Sequence, residues 1–443
     1  MKTILAGDPF VKAVLGSQRM PINGEKTVFR LNRFASSLAI SNGVLLYNGL
    51  TKEFVLLSNN EFSNLTHSID AISRWFCVPK DFDEINLIEE LRILSVDLLR
   101  HPGIDHYTIF TTTECNACCP YCFELSSVKR SMSKDTATAV SDYILNTSSK
   151  IYPIRIEWFG GEPLLNCGVI DHICKRLREN GLPYVSSITT NGFLFTDEMV
   201  KQAKENWNLK KVQITLDGTQ DVYNMTKKYL TDSDNPFEVV LNNIQKLIRC
   251  GIRVLIRMNI SEFNGIDLKE LAKYLISRFA SSDCFSVYCV PLYAKVRGEK
   301  QIVDAGDYSK TTTYIKELLE VLYNGGLYKK ELQQRLRTHR CGADTDNAIV
   351  IFPGGELGKC NHYLDSMYIG SVESNSGHEA EKAFYQRYPI LEKCRGCALY
   401  PECIRPQLCD GASNSCDFEQ IIRTEQLKYQ MLYEYRKYVK SKP

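Results

Sequence analysis

The sequence predicts an α/β protein built on a partial (β/α)6 barrel, with a small α+β domain before it and a cysteine-rich region after it. Three observations support this prediction. Short apolar segments alternate with amphipathic helical patterns over the middle of the chain, which is typical of a parallel sheet. Strand patterns around Asn-Gly turns precede this region, and closely spaced cysteines follow it. We place the three domains at residues 1–101, 102–310 and 311–443.

The composition excludes several classes of partner. The 443 residues include 54 basic and 52 acidic side chains, so a net charge of +2 provides no strong field for nucleic acid or an anionic membrane. No stretch reaches the roughly 18 apolar residues of a membrane span, and no secretory signal is recognised at Met1–Gly7. We therefore expect a cytoplasmic protein, in which the 17 cysteines are metal ligands or buried thiols rather than disulfides.

The amino-terminal region predicts a small α+β domain. Apolar segments separated by Asn42-Gly43 and Asn48-Gly49 indicate antiparallel strands, at Leu38–Ile40, Val44–Tyr47 and Phe54–Leu57. Leucines at helical spacing predict a helix that ends before His101-Pro102-Gly103, namely Leu87, Leu91, Leu94 and Leu98.

Six apolar segments predict the strands of the barrel, which is TIM-like but incomplete. They are Tyr107–Thr111, Ile154–Trp158, Val185–Thr189, Val212–Leu216, Val254–Met258 and Phe285–Val290. In such barrels the chemistry lies at the carboxyl ends of the strands. Beyond Arg340 the chain is rich in Cys, Gly and Pro, which favours a region held together by metal. A final helix is predicted from apolar residues four apart, at Leu427, Met431, Tyr435 and Val439.

A cysteine motif follows the first barrel strand. Cys115, Cys119 and Cys122 have the spacing C-x3-C-x2-C, and three thiolates can hold a [4Fe–4S] cluster with one iron left open. A zinc site is the alternative, and Cys118 could pair with Cys115 in it. The motif, with the aromatic Tyr121, resembles the radical S-adenosylmethionine (SAM) superfamily. This resemblance implies that SAM chelates the open iron and is cleaved to a 5′-deoxyadenosyl radical.

Further motifs end the next strands. Gly160, Gly161 and Glu162 resemble the Gly-Gly-Glu motif of that superfamily, which contacts the methionine amino group of SAM. Asn191 and Asp217 each precede a glycine at the ends of the third and fourth strands. The resemblance implies that they help to seat SAM, although Asn-Gly and Asp-Gly are also ordinary turn formers.

Two basic residues are weaker candidates for the carboxylate of SAM. Arg257 lies two residues before Asn259 on the fifth strand, so that both side chains face the same way. Lys228 follows the loop of Asp217. A surface salt bridge is an equally good interpretation of either residue.

The carboxyl-terminal cysteines resemble a SPASM extension, which carries two auxiliary [4Fe–4S] clusters in radical SAM enzymes. The resemblance implies an outer cluster on Cys394, Cys397, Cys403 and Cys416. It implies an inner cluster on Cys341, Cys360 and Cys409, with its fourth ligand open. Five residues separate Cys403 from Cys409, where the family usually has three. Three clusters in all are therefore expected, and a pair of zinc sites is the alternative.

The whole chain resembles a radical SAM/SPASM peptide maturase. The amino-terminal domain is similar to the winged-helix-like elements that pair a strand edge with the leader of a precursor peptide, unless it merely covers the barrel. The resemblance implies a precursor-peptide partner, a flavodoxin or ferredoxin electron donor, and a carbon–carbon (for example Lys–Trp) or thioether cross-link as product. Alternatives are a sulfatase-maturing enzyme that makes formylglycine and a non-catalytic iron–sulfur carrier or scaffold.

Overall fold

The computed structural model describes the chain except for residues 18–26, 100, 126, 150–152, 231–234, 293–294, 298–299, 304–306, 338–341, 363–366, 375–396, 404–415 and 443. The chain divides into two compact units. The first, called the terminal unit here, comprises Met1–Arg100, Lys330–Cys341 and Tyr388–Pro443. The second, called the barrel unit, comprises His101–Lys329 and Gly342–Arg387.

The first hundred residues supply most of the terminal unit. Their elements are β1 (Lys2–Ala6), α1 (Pro9–Ser17), β2 (Phe29–Leu31), β3 (Ala35–Ile40), β4 (Gly43–Asn48), β5 (Glu53–Leu57), α2 (Asn59–Ser63), α3 (Ile69–Ser73), β6 (Cys77–Pro79) and α4 (Glu84–Leu99). An antiparallel sheet has the order β1-β5-β4-β3, and β2 pairs with β6. The three predicted strands and the predicted helix are confirmed, and β1, β2 and β6 are additional strands.

The remaining elements follow in chain order. They are β7 (His106–Thr112), α5 (Lys134–Thr147), β8 (Ile154–Gly160), α6 (Cys167–Glu179), β9 (Tyr184–Thr190), α7 (Asp197–Glu205), β10 (Leu209–Thr215), α8 (Gln220–Lys227), α9 (Pro236–Arg249), β11 (Arg253–Ile260), α10 (Gly265–Phe279), β12 (Phe285–Pro291), β13 (Lys295–Arg297), β14 (Lys300–Val303), α11 (Tyr308–Asn324), β15 (Ala348–Ile351), β16 (Glu356–Gly358), β17 (Gly370–Ser371) and α12 (Cys416–Lys440). Of these, α12 belongs to the terminal unit. It packs there against the sheet, where Met431 joins Leu45, Tyr47 and Phe54 in one apolar cluster.

A mostly parallel sheet organises the barrel unit. Strands β7 to β12 lie side by side in chain order, and each is parallel to its neighbours. Beyond β7 the sheet continues with β15, which is parallel to it, and then with the antiparallel β16 and β17. All six predicted strands are present, so the partial (β/α)6 barrel is confirmed. The sheet is extended by three strands that the sequence analysis did not predict.

Local sequence explains why these elements alternate. Side chains along β9 and β12 are alternately buried and half-buried, as period-two strands require. The helix α9 begins with Pro236 and is capped by the Asn235 side chain, which accepts a hydrogen bond from the Glu238 N–H. Because the strands are parallel, their carboxyl ends meet at one edge of the sheet.

Among the described helices, none combines the length and the apolar character that a bilayer crossing requires.

Candidate active site

The loop after β7 carries the first cysteine motif. Cys115, Cys119 and Cys122 are all half-buried, and the Cys122 N–H donates to the Cys119 carbonyl at 3.1 Å in a tight turn. Burial raises the pKa of Cys115 to about 12 and that of Cys122 to about 11, and it also raises the pKa of Cys119. These groups are therefore neutral thiols until a bound metal ion removes their protons.

The loop that carries these three cysteines, called the cysteine loop here, is hydrogen-bonded to the end of α8 and to the segment that follows it. The Cys118 N–H donates to the Lys227 carbonyl at 3.0 Å, and the Leu230 N–H donates to the Asn116 carbonyl at 2.8 Å. Between these two bonds, Ala117 forms an antiparallel bridge with Tyr229. The short strand-like contact fixes the backbone from residue 116 to residue 118, directly between the first two cysteines of the motif.

The Gly-Gly-Glu motif touches the base of the cysteine loop. The Gly161 and Glu162 N–H groups donate to the carbonyls of Thr112 and Glu114 at 3.1 and 2.8 Å. A Cβ atom on Gly160 would overlap the Thr112 carbonyl oxygen, and one on Gly161 would overlap that of Glu114. The glycines therefore allow the end of β8 to approach the residue that precedes Cys115.

Glu162 is fully buried and its carboxylate is already hydrogen-bonded. The Thr190 hydroxyl donates to both of its oxygens, at 2.7 and 2.9 Å. The N–H groups of Leu164 and Asn191 donate at 3.1 and 2.8 Å. Burial raises the pKa of Glu162, although these hydrogen bonds oppose the rise. These bonds occupy the roughly four acceptor positions of a carboxylate, so the side chain ties the ends of β8 and β9 together.

Asn191 lies beside the cysteine loop. Its Nδ2 donates to the Oδ1 of Asn116 at 2.7 Å, and its own Oδ1 accepts from the Phe193 N–H at 3.0 Å. The predicted residues Glu162 and Asn191 are therefore joined both to each other and to the loop of Cys115.

A buried polar cluster joins the loop after β10 to the cysteine loop. The Tyr121 hydroxyl is hydrogen-bonded to Oδ2 of Asp217. The Lys227 ammonium lies 3.3 Å from the same carboxylate oxygen and 3.1 Å from the Tyr121 hydroxyl. Burial by itself lowers the pKa of Lys227, but Tyr121 and Asp217 raise it well above its ordinary value. The lysine is therefore charged, and its side chain is only 4% exposed.

The described contacts within this cluster involve neither of the two basic side chains that the sequence analysis named. Lys228 is exposed and ends α8 with a left-handed backbone, at φ +48°. The Arg257 Nε donates to the Oδ1 of Asn259 at 2.8 Å, and the Asn259 N–H donates to Asp217 at 3.1 Å. Arg257 is thus linked to the Asp217 carboxylate through Asn259.

Sequence reasoning missed Lys227 and Asn116. Lys227 follows Tyr223 by four residues on α8, and Tyr223 is fully buried. That spacing puts the two side chains on one face of the helix, so the helical period would have favoured Lys227 over Lys228. Asn116 had no comparable signal, because its role depends on the contact with Asn191.

The donor set of the cysteine loop fits an iron–sulfur cluster. Within the described residues, no three His, Cys, Asp or Glu side chains converge closely enough to hold one metal ion. A [4Fe–4S] cluster has a different requirement, since each thiolate binds its own iron and the sulfurs need not meet at one point. A buried donor without a partner also lies within the motif. It is the Nδ2 of Asn116, which makes no hydrogen bond to the described residues.

Only part of the second cysteine group falls within the described residues. Cys341, Cys394 and Cys409 lie outside them, and the side chain of Cys416 is not described. Cys360 follows β16 in the barrel unit, and its sulfur accepts from the His362 N–H at 3.5 Å. Cys397 and Cys403 belong to the terminal unit, where Tyr400 links them: its N–H donates to the Cys397 carbonyl, and its carbonyl accepts from the Cys403 N–H.

Residues 109–275 match the family model of the radical SAM superfamily. The matched stretch runs from β7 into α10 and contains the cysteine loop and the motifs at the ends of β8, β9 and β10. This part of the chain is therefore a radical SAM domain. Proteins of that superfamily are enzymes of radical chemistry that use a [4Fe–4S] cluster and SAM.

Individual relatives extend the likeness beyond that domain. The tungsten-containing aldehyde ferredoxin oxidoreductase cofactor-modifying protein of Pyrococcus furiosus is 26% identical over 333 residues, which are 69% of this chain and 87% of the relative. Native anSMEcpe with bound AdoMet and Cp18Cys peptide has a TM-score of 0.56 at 18% identity, over 76% of this chain and 98% of that one. SuiB of Streptococcus suis bound to precursor peptide SuiA has a TM-score of 0.52 at 11% identity, over 87% and 95%. At these identities, the two solved structures show a shared fold.

Proposed function

We propose that this protein uses SAM and a [4Fe–4S] cluster on Cys115, Cys119 and Cys122 to remove a hydrogen atom from a peptide. The cysteine loop is the observation that carries the proposal. It lies at the carboxyl end of β7 within a radical SAM domain. Glu162, and Asn191 through Asn116, are bonded to this loop from the ends of the next two strands.

The chain's own residues have separate roles in this proposal. When bound, the cluster supplies an electron that cleaves SAM and provides a 5′-deoxyadenosyl radical. Gly160 and Gly161 bring backbone carbonyl groups close to the cysteine loop, where they can accept from the amino group of SAM. Asp217 and Lys227 hold Tyr121, and with it the second half of the motif. Arg257 remains a candidate for the carboxylate of SAM.

Two solved structures support a peptide as the substrate. SuiB and anSMEcpe share the fold of this chain, and both are described with a bound peptide. We propose a ribosomally made precursor peptide and a cross-linked product, either carbon–carbon or thioether. Such a cross-link removes two hydrogens from the peptide, one as an atom and one as a proton. The remaining electron then leaves to an iron–sulfur acceptor.

The carboxyl-terminal cysteines are proposed to supply that acceptor. Their spacing supports two auxiliary [4Fe–4S] clusters, on Cys394, Cys397, Cys403 and Cys416 and on Cys341, Cys360 and Cys409. Together with the first cluster, anaerobically reconstituted protein should carry about twelve irons. Iron near four per chain, with zinc in the remaining sites, would contradict the auxiliary clusters.

The leader of the precursor is proposed to bind the terminal unit by strand addition. In the sheet order β1-β5-β4-β3, no described strand covers the outer side of β3. An extended peptide can add to such an edge through backbone hydrogen bonds alone. A bound leader would keep the reacting segment of the precursor at a high effective concentration.

A peptide assay tests the proposed function. The protein would be incubated anaerobically with SAM, a flavodoxin or ferredoxin, and the product of a short open reading frame beside its gene. We expect a peptide lighter by two hydrogen atoms, formed together with 5′-deoxyadenosine. Conversion of one side chain in a sulfatase peptide to formylglycine, with no change in the precursor, would favour the sulfatase-maturing alternative. Unchanged peptides without 5′-deoxyadenosine would favour the non-catalytic carrier.

A further inference from the structure

Two side-chain amides meet beside the first cysteine of the motif, and the backbone fixes the orientation of both. The Phe193 N–H must reach an oxygen, so the Oδ1 of Asn191 faces it at 3.0 Å. Asn191 therefore presents its Nδ2 to Asn116, at 2.7 Å. Because an N–H needs an acceptor, Asn116 must offer its Oδ1 in return.

One polar atom is left over from this arrangement. The Nδ2 of Asn116 has no hydrogen-bond partner, although Asn116 is only 6% exposed. Turning the amide over would not help, since it would place two N–H groups against each other. Buried donors in native proteins are almost always paired, so this atom indicates a partner that the described residues do not provide.

The position of this donor restricts what the partner can be. Asn116 directly follows Cys115, and its carbonyl is held by the Leu230 N–H at 2.8 Å. On the other side, the Glu162 carboxylate accepts from the Asn191 N–H at 2.8 Å. The amide is therefore held from two sides, between the cysteine loop and the end of β9. An acceptor that reaches the Asn116 amide therefore belongs to the group that the cysteines bind.

We propose that the Asn116 amide donates a hydrogen bond to an electron-rich acceptor of the bound cluster and SAM, either a sulfide of the cluster or the carboxylate of SAM. This inference rests on the proposed function. Both acceptors have the same chemistry, since each is an anionic group that a rigid amide N–H stabilises. Hydrogen bonds to cluster sulfurs are also among the factors that set the reduction potential.

The substitution Asn116→Asp tests the proposal. It keeps the shape of the side chain and an acceptor for Asn191, and it replaces the free donor with an oxygen. Two measurements on reconstituted protein distinguish the sources: the midpoint potential of the first cluster without SAM, and the affinity for SAM in anaerobic equilibrium dialysis. A sulfide acceptor predicts a more negative potential in the variant. A SAM carboxylate predicts SAM binding weaker by at least about tenfold, with a potential that is unchanged in Asn116→Ala, the variant that adds no charge beside the cluster.

The control is Asn48→Asp in the terminal unit. Asn48 is also fully buried, but its Nδ2 donates to the Trp75 carbonyl at 2.9 Å, so its donor is already used. This variant should lose stability without a change in potential or in SAM affinity. Asn116→Ala lacks the donor without adding a charge, so this variant decides between the two acceptors. A more negative potential in Asn116→Ala indicates the cluster sulfide, and an unchanged potential with weaker SAM binding indicates the SAM carboxylate.

The outcomes separate this inference from the function on which it rests. Wild-type protein that neither assembles the first cluster nor binds SAM would overturn the proposed function, and the role of Asn116 with it. Wild-type protein that binds SAM normally, beside Asn116 variants with unchanged potential and affinity, would overturn the role of Asn116 alone. In that case the Asn116 amide donates neither to the cluster nor to SAM.

Discussion

At the scale of single residues, the most consequential group is the Lys227 ammonium. It is buried with Asp217, whose side chain is 1% exposed, and it contacts the Tyr121 hydroxyl. Removing one member of a buried ion pair leaves the other charge without compensation in a poorly solvating place. Lys227 should therefore matter both for stability and for the position of Tyr121 in the cysteine motif.

We predict that Lys227→Met lowers the free energy of unfolding by about 3 kcal/mol, because Asp217 loses its cationic partner. Lys228→Met is the matched control, since the neighbouring side chain is exposed and should change stability by no more than about 0.5 kcal/mol. Urea unfolding of the metal-free protein measures both variants. Equal losses, or a larger loss for Lys228→Met, would contradict the buried pair.

The same pair of lysines shows what the sequence could predict at this scale. The sequence analysis named Cys115, Cys119 and Cys122 from their spacing, and Asn191 and Asp217 because each precedes a glycine at the end of a predicted strand. The choice between adjacent lysines required the helical face of α8, and the orphan amide of Asn116 required the three-dimensional contact with Asn191. Sequence spacing therefore identifies candidate cysteine ligands. The side chains that hold the cysteine loop in position are identified only from the packing in the structure.

At the scale of elements, the approach of β8 to the cysteine loop depends on backbone contact. Gly161 is the clearer of the two glycines, since a side chain there is opposed by steric overlap with the carbonyl groups of Thr113 and Glu114, whereas Gly160 also has φ +130°. A shift of the backbone at Glu114 would move both Cys115 and the proposed SAM site. Small displacements of this kind are costly in catalysis because the reacting groups must be held in close register.

We predict that Gly161→Ala lowers the rate of SAM cleavage by about 100-fold. Gly168→Ala in α6 is the control, because a Cβ there meets nothing within 4 Å and alanine favours a helix. The control should keep the wild-type rate. The assay is 5′-deoxyadenosine formation per chain, with iron content measured in parallel. A Gly161→Ala enzyme as fast as the control would show that the close approach is unnecessary.

The backbone hydrogen bonds between β3 and β4 show which N–H groups of β3 face its open edge. The Gly49 N–H donates to the Phe34 carbonyl at 3.0 Å, and the register then pairs Ser36 with Tyr47. Since antiparallel strands exchange hydrogen bonds at every second residue, Ser36 bonds to β4 and Ser37 directs its N–H to the outer side. Ser37 is therefore a suitable position for a test of strand addition.

We predict that Ser37→Pro slows modification of the full-length precursor at low peptide concentration. Proline removes the outward N–H without breaking the bonds to β4 and is tolerated on edge strands. Ser37→Ala keeps the N–H and should behave like wild type, and SAM cleavage without peptide should be unchanged in both variants. Modification kinetics followed by mass spectrometry provide the comparison. Equal rates for the proline and alanine variants would exclude β3 as the leader site.

The elements themselves were largely predictable. Six parallel strands were found because buried strands are short apolar runs between amphipathic helices. Strand β1 was missed, since three of its five residues are exposed and no Asn-Gly turn marks it. Strand β15 was missed because Ala348–Ile351 is a short apolar run within the cysteine-rich region, and its pairing with β7 joins residues far apart in sequence.

At the scale of the whole molecule, the terminal unit is built from three separate stretches of the chain. Leu332 and Met431 pack with Leu45, Tyr47 and Phe54 in one apolar cluster. Removing residues 1–100 would therefore expose apolar side chains on the remaining part of the unit. Point substitutions on β3 give a cleaner test of the terminal unit than truncation.

We infer that Cys115, Cys119 and Cys122 hold the cluster that cleaves SAM. The most direct test is 5′-deoxyadenosine formation by reconstituted, reduced protein in which the cysteines are replaced one at a time by alanine. We expect Cys115→Ala, Cys119→Ala and Cys122→Ala each to abolish cleavage, whereas Cys118→Ala retains most of it. Loss of cleavage in Cys118→Ala together with its retention in Cys119→Ala would show that these three cysteines do not hold the cluster, and a wild-type protein that forms no 5′-deoxyadenosine would exclude SAM cleavage altogether.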